Sequence, residues 1–191
     1  MLLYEIRVQL QDIQPPIWRQ LKVRPQTSLA RLHKILQKAM GWTNSHLHLF
    51  KVGDKEYGEG DFDWDFEVHD YSGMRLEDAF TKGRKSFLYE YDMGDSWRHE
   101  IILLGTVESA EGERIACIAG ARACPPEDCG GVTGYLSPAG GACRPGARGP
   151  RHAAGVGRPP VRPGGVRCGQ GGQGPQAIVT VTLLPAPAGS P

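Results

Sequence analysis

From Leu2 to Leu10 apolar and polar residues alternate, with Leu2, Tyr4, Ile6, Val8 and Leu10 on one side and Glu5, Arg7 and Gln9 on the other. A period of two predicts a half-buried strand. Gln14-Pro15-Pro16 ends the run, because proline has no N–H to give to a ladder, and alternation resumes over residues 17–23. The two runs predict an antiparallel pair turned at the prolines. The period then lengthens. Leu29, Leu32, Ile35, Leu36 and Met40 recur at helical spacing, behind Ser28 as an N-cap and ahead of Gly41 as a stop. Residues 46–52 alternate again and end at Gly53-Asp54, predicting a third strand. Residues 57–70 interleave acids with aromatics and read as a surface strand or an ordered loop. Residues 76–80 predict a short helix. Residues 86–91 and 99–107 predict two more strands, joined by the turn Asp92-Met93-Gly94-Asp95-Ser96. The fold class is therefore α+β: a mixed or antiparallel sheet with one main helix, in an order that suggests a ubiquitin-like grasp. Trp18, Leu32, Leu36, Trp97 and Ile101 are expected to share one core.

The patterning stops near residue 136. Residues 136–191 contain no Asp, Glu, Lys, Phe, Trp or Tyr, and 37 of the 56 are Gly, Pro, Ala or Arg. The main codons of those four residues begin with two G or C bases, so a shifted reading frame in a GC-rich gene explains the change. Read one base later, the codons of residues 137–150 permit an acidic, Leu-periodic helix. From Val161 onward they permit Phe-Asp-Pro-Glu, and Gln170 and Gln173 become Lys or Arg. A natural Gly/Pro/Arg-rich disordered tail is the competing reading. The expected organisation is one domain over residues 1–135 and a disordered, out-of-frame segment over residues 136–191.

This division changes the meaning of the charge. The chain's net +1 hides 16 Lys and Arg against 21 Asp and Glu before residue 136, a balance of −5. A whole-domain basic footprint for nucleic acid is absent. No apolar run reaches the roughly 18–20 residues of a membrane span, and the N-terminus runs straight into strand-like sequence. The expectation is a cytoplasmic protein without membrane contact, whose clustered Cys117, Cys124 and Cys129 are reduced or metal-bound.

Four constellations carry candidate chemistry. Cys117, Cys124 and Cys129 place three thiols within 13 residues, and His99 on the preceding strand offers a fourth zinc ligand. The competing readings are a rigid Pro/Gly turn filled by small cysteines and a redox pair of Cys124 and Cys129. Asp92, Asp95, Trp97 and His99 include an Asp–His combination suited to general base chemistry or metal support, with turn formation as the alternative. His46 and His48 share a strand face and form a candidate metal pair or groove surface. Trp18 and Arg19 join His46, His48 and Asp95 as binding-face candidates, Arg19 through carboxylate or phosphate recognition.

Several strings are distinctive: Pro15-Pro16-Ile17-Trp18-Arg19; Leu29 with Leu32-His33 and Leu36-Gln37; Gly41-Trp42 followed by His46-Leu47-His48-Leu49-Phe50; Tyr89 with Tyr91-Asp92, Gly94-Asp95-Ser96-Trp97 and His99; and Ala123-Cys124-Pro125-Pro126-Glu127-Asp128-Cys129-Gly130-Gly131. Together they resemble the plasmid pRiA4b ORF-3-like family over residues 3–135. The resemblance implies association with plasmids and insertion elements, and a Leu-rich acidic helix beyond residue 135, where this chain departs. It brings no settled biochemistry. The expected function is a non-enzymatic protein-interaction module with zinc as a candidate ligand and a protein partner. The alternatives are a DNA-associated accessory factor using Arg19, Lys22, Arg24, Arg31, Lys34 and Lys38, or a metal-dependent enzyme using Asp95, His99 and the cysteines.

Overall fold

The computed structural model describes residues 1–59, 66–109 and 115–137, with the backbone of Val181–Thr182. Trp64, Cys143, Cys168 and the remaining expectations for residues 138–191 lie outside the described residues.

Strands β1 (Leu2–Leu10) and β2 (Trp18–Val23) form the expected antiparallel pair, with Gln9 opposite Trp18 and Glu5 opposite Lys22. Helix α1 (Leu29–Met40) follows. The Ser28 hydroxyl accepts from Arg31 N, and Gly41 at φ 89° closes the helix with an N–H donated to Gln37 O. That left-handed conformation is inexpensive for glycine. After α1 come β3 (His48–Val52), β4 (Lys55–Gly58), β5 (His69–Asp70) and the short helix α2 (Leu76–Ala79). Strands β6 (Ser86–Tyr91) and β7 (Trp97–Glu108) then precede β8 (Ala116–Ala121), helix α3 (Gly131–Leu136) and a two-residue β9 (Val181–Thr182).

The strands make one sheet in the order β5-β4-β3-β6-β7-β1-β2-β8-β9. All pairings are antiparallel except β4 with β5, so the sheet is mixed. The α+β class holds. The grasp comparison extends only to one helix laid on one sheet face, since β1 runs antiparallel to both β2 and β7.

Burial alternates along β2 and β6. One sheet face, carrying Val8, Leu21, Phe87, Tyr89, Tyr91, Trp97 and Ile101, packs with Leu29, Leu32, Ile35 and Leu36 of α1 in a single core cluster. Leu32, Leu36, Trp97 and Ile101 join this cluster as expected, but Trp18 does not. Its neighbours Ile17 and Arg19 are buried, which turns Trp18 to the opposite face. At the other end of β1 the alternation also slips: Leu2 is exposed, while Leu3 is buried apart from the cluster. A register shift at Glu5/Ile6 against β7 accompanies that change.

Candidate functional site

The recognisable strings of the sequence converge at the C-terminal end of α1. There the chain builds a closed ring of hydrogen bonds. Gln37 Nε2 donates to Tyr89 Oη at 3.1 Å, and Tyr89 Oη lies 2.8 Å from His33 Nδ1. His33 Nε2 reaches Asn44 Oδ1 at 2.5 Å, and Asn44 N donates to Gln37 Oε1 at 3.1 Å. Asn44 Oδ1 only accepts, so Nε2 carries a proton, and in the neutral form of His33 Tyr89 donates to Nδ1. Burial depresses the His33 pKa despite the Asn44 bond. His33 and Gln37 lie four residues apart on α1 and so share a helix face.

Two further histidines adjoin this ring. His48 stacks flat on His33, with centroids 3.4 Å apart and planes 3° from parallel. Burial, and then the neighbouring His33, lower its pKa to about 3. His99 is fully buried, with Nδ1 3.4 Å from Tyr89 O, and burial lowers its pKa to about 4. Among the described residues, Nε2 of His48 and of His99 has no hydrogen-bond partner. His46 and His48 therefore do not act as a pair: His48 belongs to the core, while His46 meets Tyr91 edge-on and approaches Asp92 and Asp128.

The Cys124-Pro125-Pro126-Glu127-Asp128-Cys129 segment closes over this end of the sheet. Trp42 stacks on Tyr91 and donates its indole N–H to Pro125 O at 3.0 Å. Glu127 accepts from Thr43 N, from Thr43 Oγ1 at 2.5 Å and from Tyr91 Oη at 2.5 Å. Burial raises the Glu127 pKa, but the bonds from Thr43 and Tyr91 outweigh it and leave the carboxyl below its ordinary value. Asp95 Oδ2 accepts from Cys129 N at 3.0 Å and Gly130 N at 3.2 Å. Gly131, at φ 65°, sits against the Asp95 carbonyl so closely that any Cβ would collide with it. Gly131 is thus explained by close backbone approach, and Gly130 by its left-handed φ of 82°.

These contacts reassign the sequence candidates. Asp95 is a clamp for the loop backbone, outside the β7 ladder that holds His99, so the proposed Asp95–His99 pairing does not form. Cys117 lies on β8, a strand the alternation did not reveal, instead of in the Pro/Gly turn. The four proposed zinc ligands do not converge. Among the described residues, the group of His, Cys, Asp or Glu donors drawn within 4.8 Å of one another is His46, Asp92 and Asp128, without Cys117, Cys124, Cys129 or His99. Burial also pushes the Cys124 thiol far up, with Arg19 opposing, so the thiol stays protonated.

Arg19 is likewise an internal residue. It is buried, with Nε donating to Ala39 O at 3.0 Å and Nη1 to Trp18 O and Ala121 O. It satisfies a last-turn carbonyl of α1 and ties the helix to β2 and β8. Trp18 remains as a surface group. It is half-buried on the face away from α1, with the Arg7 guanidinium 4.6 Å over its ring. Register places Gln9 and Ala121 beside Trp18, and Gln20 and Ile102 beside Arg7. Arg7 makes no ion pair among the described residues. Trp42 and Trp97 belong to the core cluster.

The basic patch also divides. The exposed positions of α1 are Arg31, Lys34 and Lys38, a stripe on one helix face, whereas Lys22 lies on the opposite face of the sheet and Arg19 inside. No described helix is long and apolar enough to cross a membrane.

Comparison with known proteins agrees with the distinctive strings. The family described as plasmid pRiA4b ORF-3-like protein matches residues 3–139. The chain is similar to the uncharacterized protein y4hQ of Sinorhizobium fredii, with 39% identity over 131 residues that cover 68% of each chain. It is also similar to the crystal structure of a protein of unknown function, MM3350, from Methanosarcina mazei Go1. That likeness has a TM-score of 0.65 and 35% identity, covering 70% of this chain and 77% of the other.

Proposed function

We propose, from the premise that this chain belongs to the plasmid pRiA4b ORF-3-like family, that it is a non-enzymatic protein-interaction module of plasmid or insertion-element biology. The observation that carries this reading is Trp18. Of the described tryptophans, Trp42 and Trp97 fill the core, and Trp18 alone is held on the sheet face away from α1. Tryptophan and arginine dominate binding hot spots, and here they form one stacked unit with an unpaired cation. Its partner is a protein segment that lays an apolar or aromatic side chain on Trp18 and brings a carboxylate to Arg7.

Four polar residues of the distinctive strings support a binding role over a catalytic one. Asp95, Glu127, His33 and Gln37 spend their hydrogen-bonding capacity on internal contacts. The reading is tested by panning a displayed peptide library on the full chain, with Trp18→Ala as the counter-selection. Ligands rich in acidic and aromatic residues, lost on Trp18→Ala, are expected. Ligands indifferent to Trp18→Ala and Arg7→Ala overturn it.

A DNA-associated role is the second reading, favoured by the stripe Arg31, Lys34 and Lys38. No ion pair of these three residues is present among the described residues. Three cations release few counterions, and the domain's −5 balance opposes them.

A further inference from the structure

We infer that His46, Asp92 and Asp128 form a binding site for one divalent transition-metal ion, with Zn²⁺ the best match. The three donors come from three separate connections: His46 from the segment between α1 and β3, Asp92 from the β6–β7 turn, and Asp128 from the Cys/Pro segment after β8. Their donor atoms all lie within 4.8 Å of one another. His46 Nε2 is 3.3 Å from Asp128 Oδ1 and 3.6 Å from Asp92 Oδ2.

Those separations suit a His–carboxylate ion pair and equally a shared metal ion. Nε2 of His46 is shut away from solvent and has no hydrogen-bond partner among the described residues. A strong N–H···O bond would bring the heavy atoms to about 2.7–3.2 Å. Two ligands at about 2.1 Å from a tetrahedral zinc stand roughly 3.4 Å apart, in line with the two spacings at His46.

The carboxylates are prepared for the same role. Asp92 Oδ1 is occupied by Gly94 N at 3.0 Å and Asp95 N at 3.2 Å, which fixes the side chain and leaves Oδ2 directed at His46. Asp92 itself is buried, and Asp128 is on the outside, its side chain 78% exposed. Two carboxylates and a neutral imidazole balance a divalent charge, and a mixed nitrogen–oxygen set favours a borderline ion over Mg²⁺ or Ca²⁺. Solvent completes the coordination on the Asp128 side. The adjacent Glu127 carboxylate is engaged by Thr43 and Tyr91 and is outside the ligand set. A bound ion would tie the Cys/Pro segment to the sheet end beside the Glu127 and Asp95 clamps. This site stands apart from the Trp18 face, so either can fail alone.

The test uses the purified full chain after chelator treatment and dialysis. Calorimetric titration with Zn²⁺ should show one equivalent, and Co²⁺ should give a visible spectrum without thiolate-to-metal charge transfer. Asp128→Asn and His46→Gln should each weaken binding on the order of tenfold or more, while Cys124→Ser leaves it unchanged. Asp128 is exposed, so its substitution leaves the fold intact, to be verified by an unaltered circular dichroism spectrum. No saturable binding below about 1 mM overturns the inference, that being the weak end of protein metal sites. Binding that survives Asp128→Asn and His46→Gln but is lost in Cys124→Ser, with thiolate charge transfer, overturns it in favour of the cysteines.

Discussion

Trp97 and Trp18 show how differently the same side chain behaves on opposite faces of one sheet. Trp97 is fully buried against Trp42 and the core cluster. Trp97→Ala should cost on the order of 3–5 kcal/mol, read as a shift of the urea midpoint, whereas Trp18→Ala should cost under about 1 kcal/mol. The buried histidines add a pH dependence with a definite sign. His99 titrates near 6.5 when unfolded and near 4 when folded, so acid protonates the unfolded chain first. The His99 share of stability is complete above pH 6.5 and falls by up to about 1.4 kcal/mol per pH unit between pH 6.5 and 4, with His48, lowered to about 3, and His33 adding in the same direction. His99→Leu should make that part of the stability profile shallower, leaving the share of His48 and His33. An unchanged slope would show that His99 does not drive it.

At the level of elements, α1 was legible because its two signals agree: apolar spacing sets its core face, and Ser28 and Gly41 set its ends. β1, β2, β6 and β7 were legible from alternation. β8 was not, because Ala116, Ala119, Gly120 and Ala121 are too small to show a two-sided pattern, and only pairing with β2 makes them a strand. The site was half legible. The residues His33, Gln37, Asp95 and Glu127 stood out in the distinctive strings, but their partners are distant in sequence, as Thr43 is from Glu127. Proximity along the chain therefore suggested a cysteine cluster, while the fold spends the same segment on backbone clamps and on Asp128. Gly131→Ala tests the clamp. It combines a positive φ with a collision at Asp95 O, so it should cost about 1–3 kcal/mol and raise hydrogen exchange across residues 125–131. Wild-type exchange in that segment would show that the close approach is dispensable.

For the whole molecule, charge and shape separate the two binding readings. The α1 stripe offers three cations where residues 1–135 carry a balance of −5, so duplex DNA should bind weakly. Its log–log salt slope should not exceed about 3, and removing Arg31, Lys34 and Lys38 together should abolish it. Tight, salt-resistant DNA binding would reverse the order of the two readings. The interaction reading instead makes the sheet carry two independent loads: α1 and the core on one face, and recognition through Trp18 and Arg7 on the other.

That independence is measured most directly by determining, on one preparation of Trp18→Ala, both its unfolding free energy and its affinity for the tightest selected acidic–aromatic peptide. The separation of the two faces predicts an affinity loss of at least about tenfold, the 1.4 kcal/mol scale of a hot-spot residue, with the urea midpoint almost unmoved. Unchanged affinity, or a loss of stability as large as that of Trp97→Ala, would contradict it.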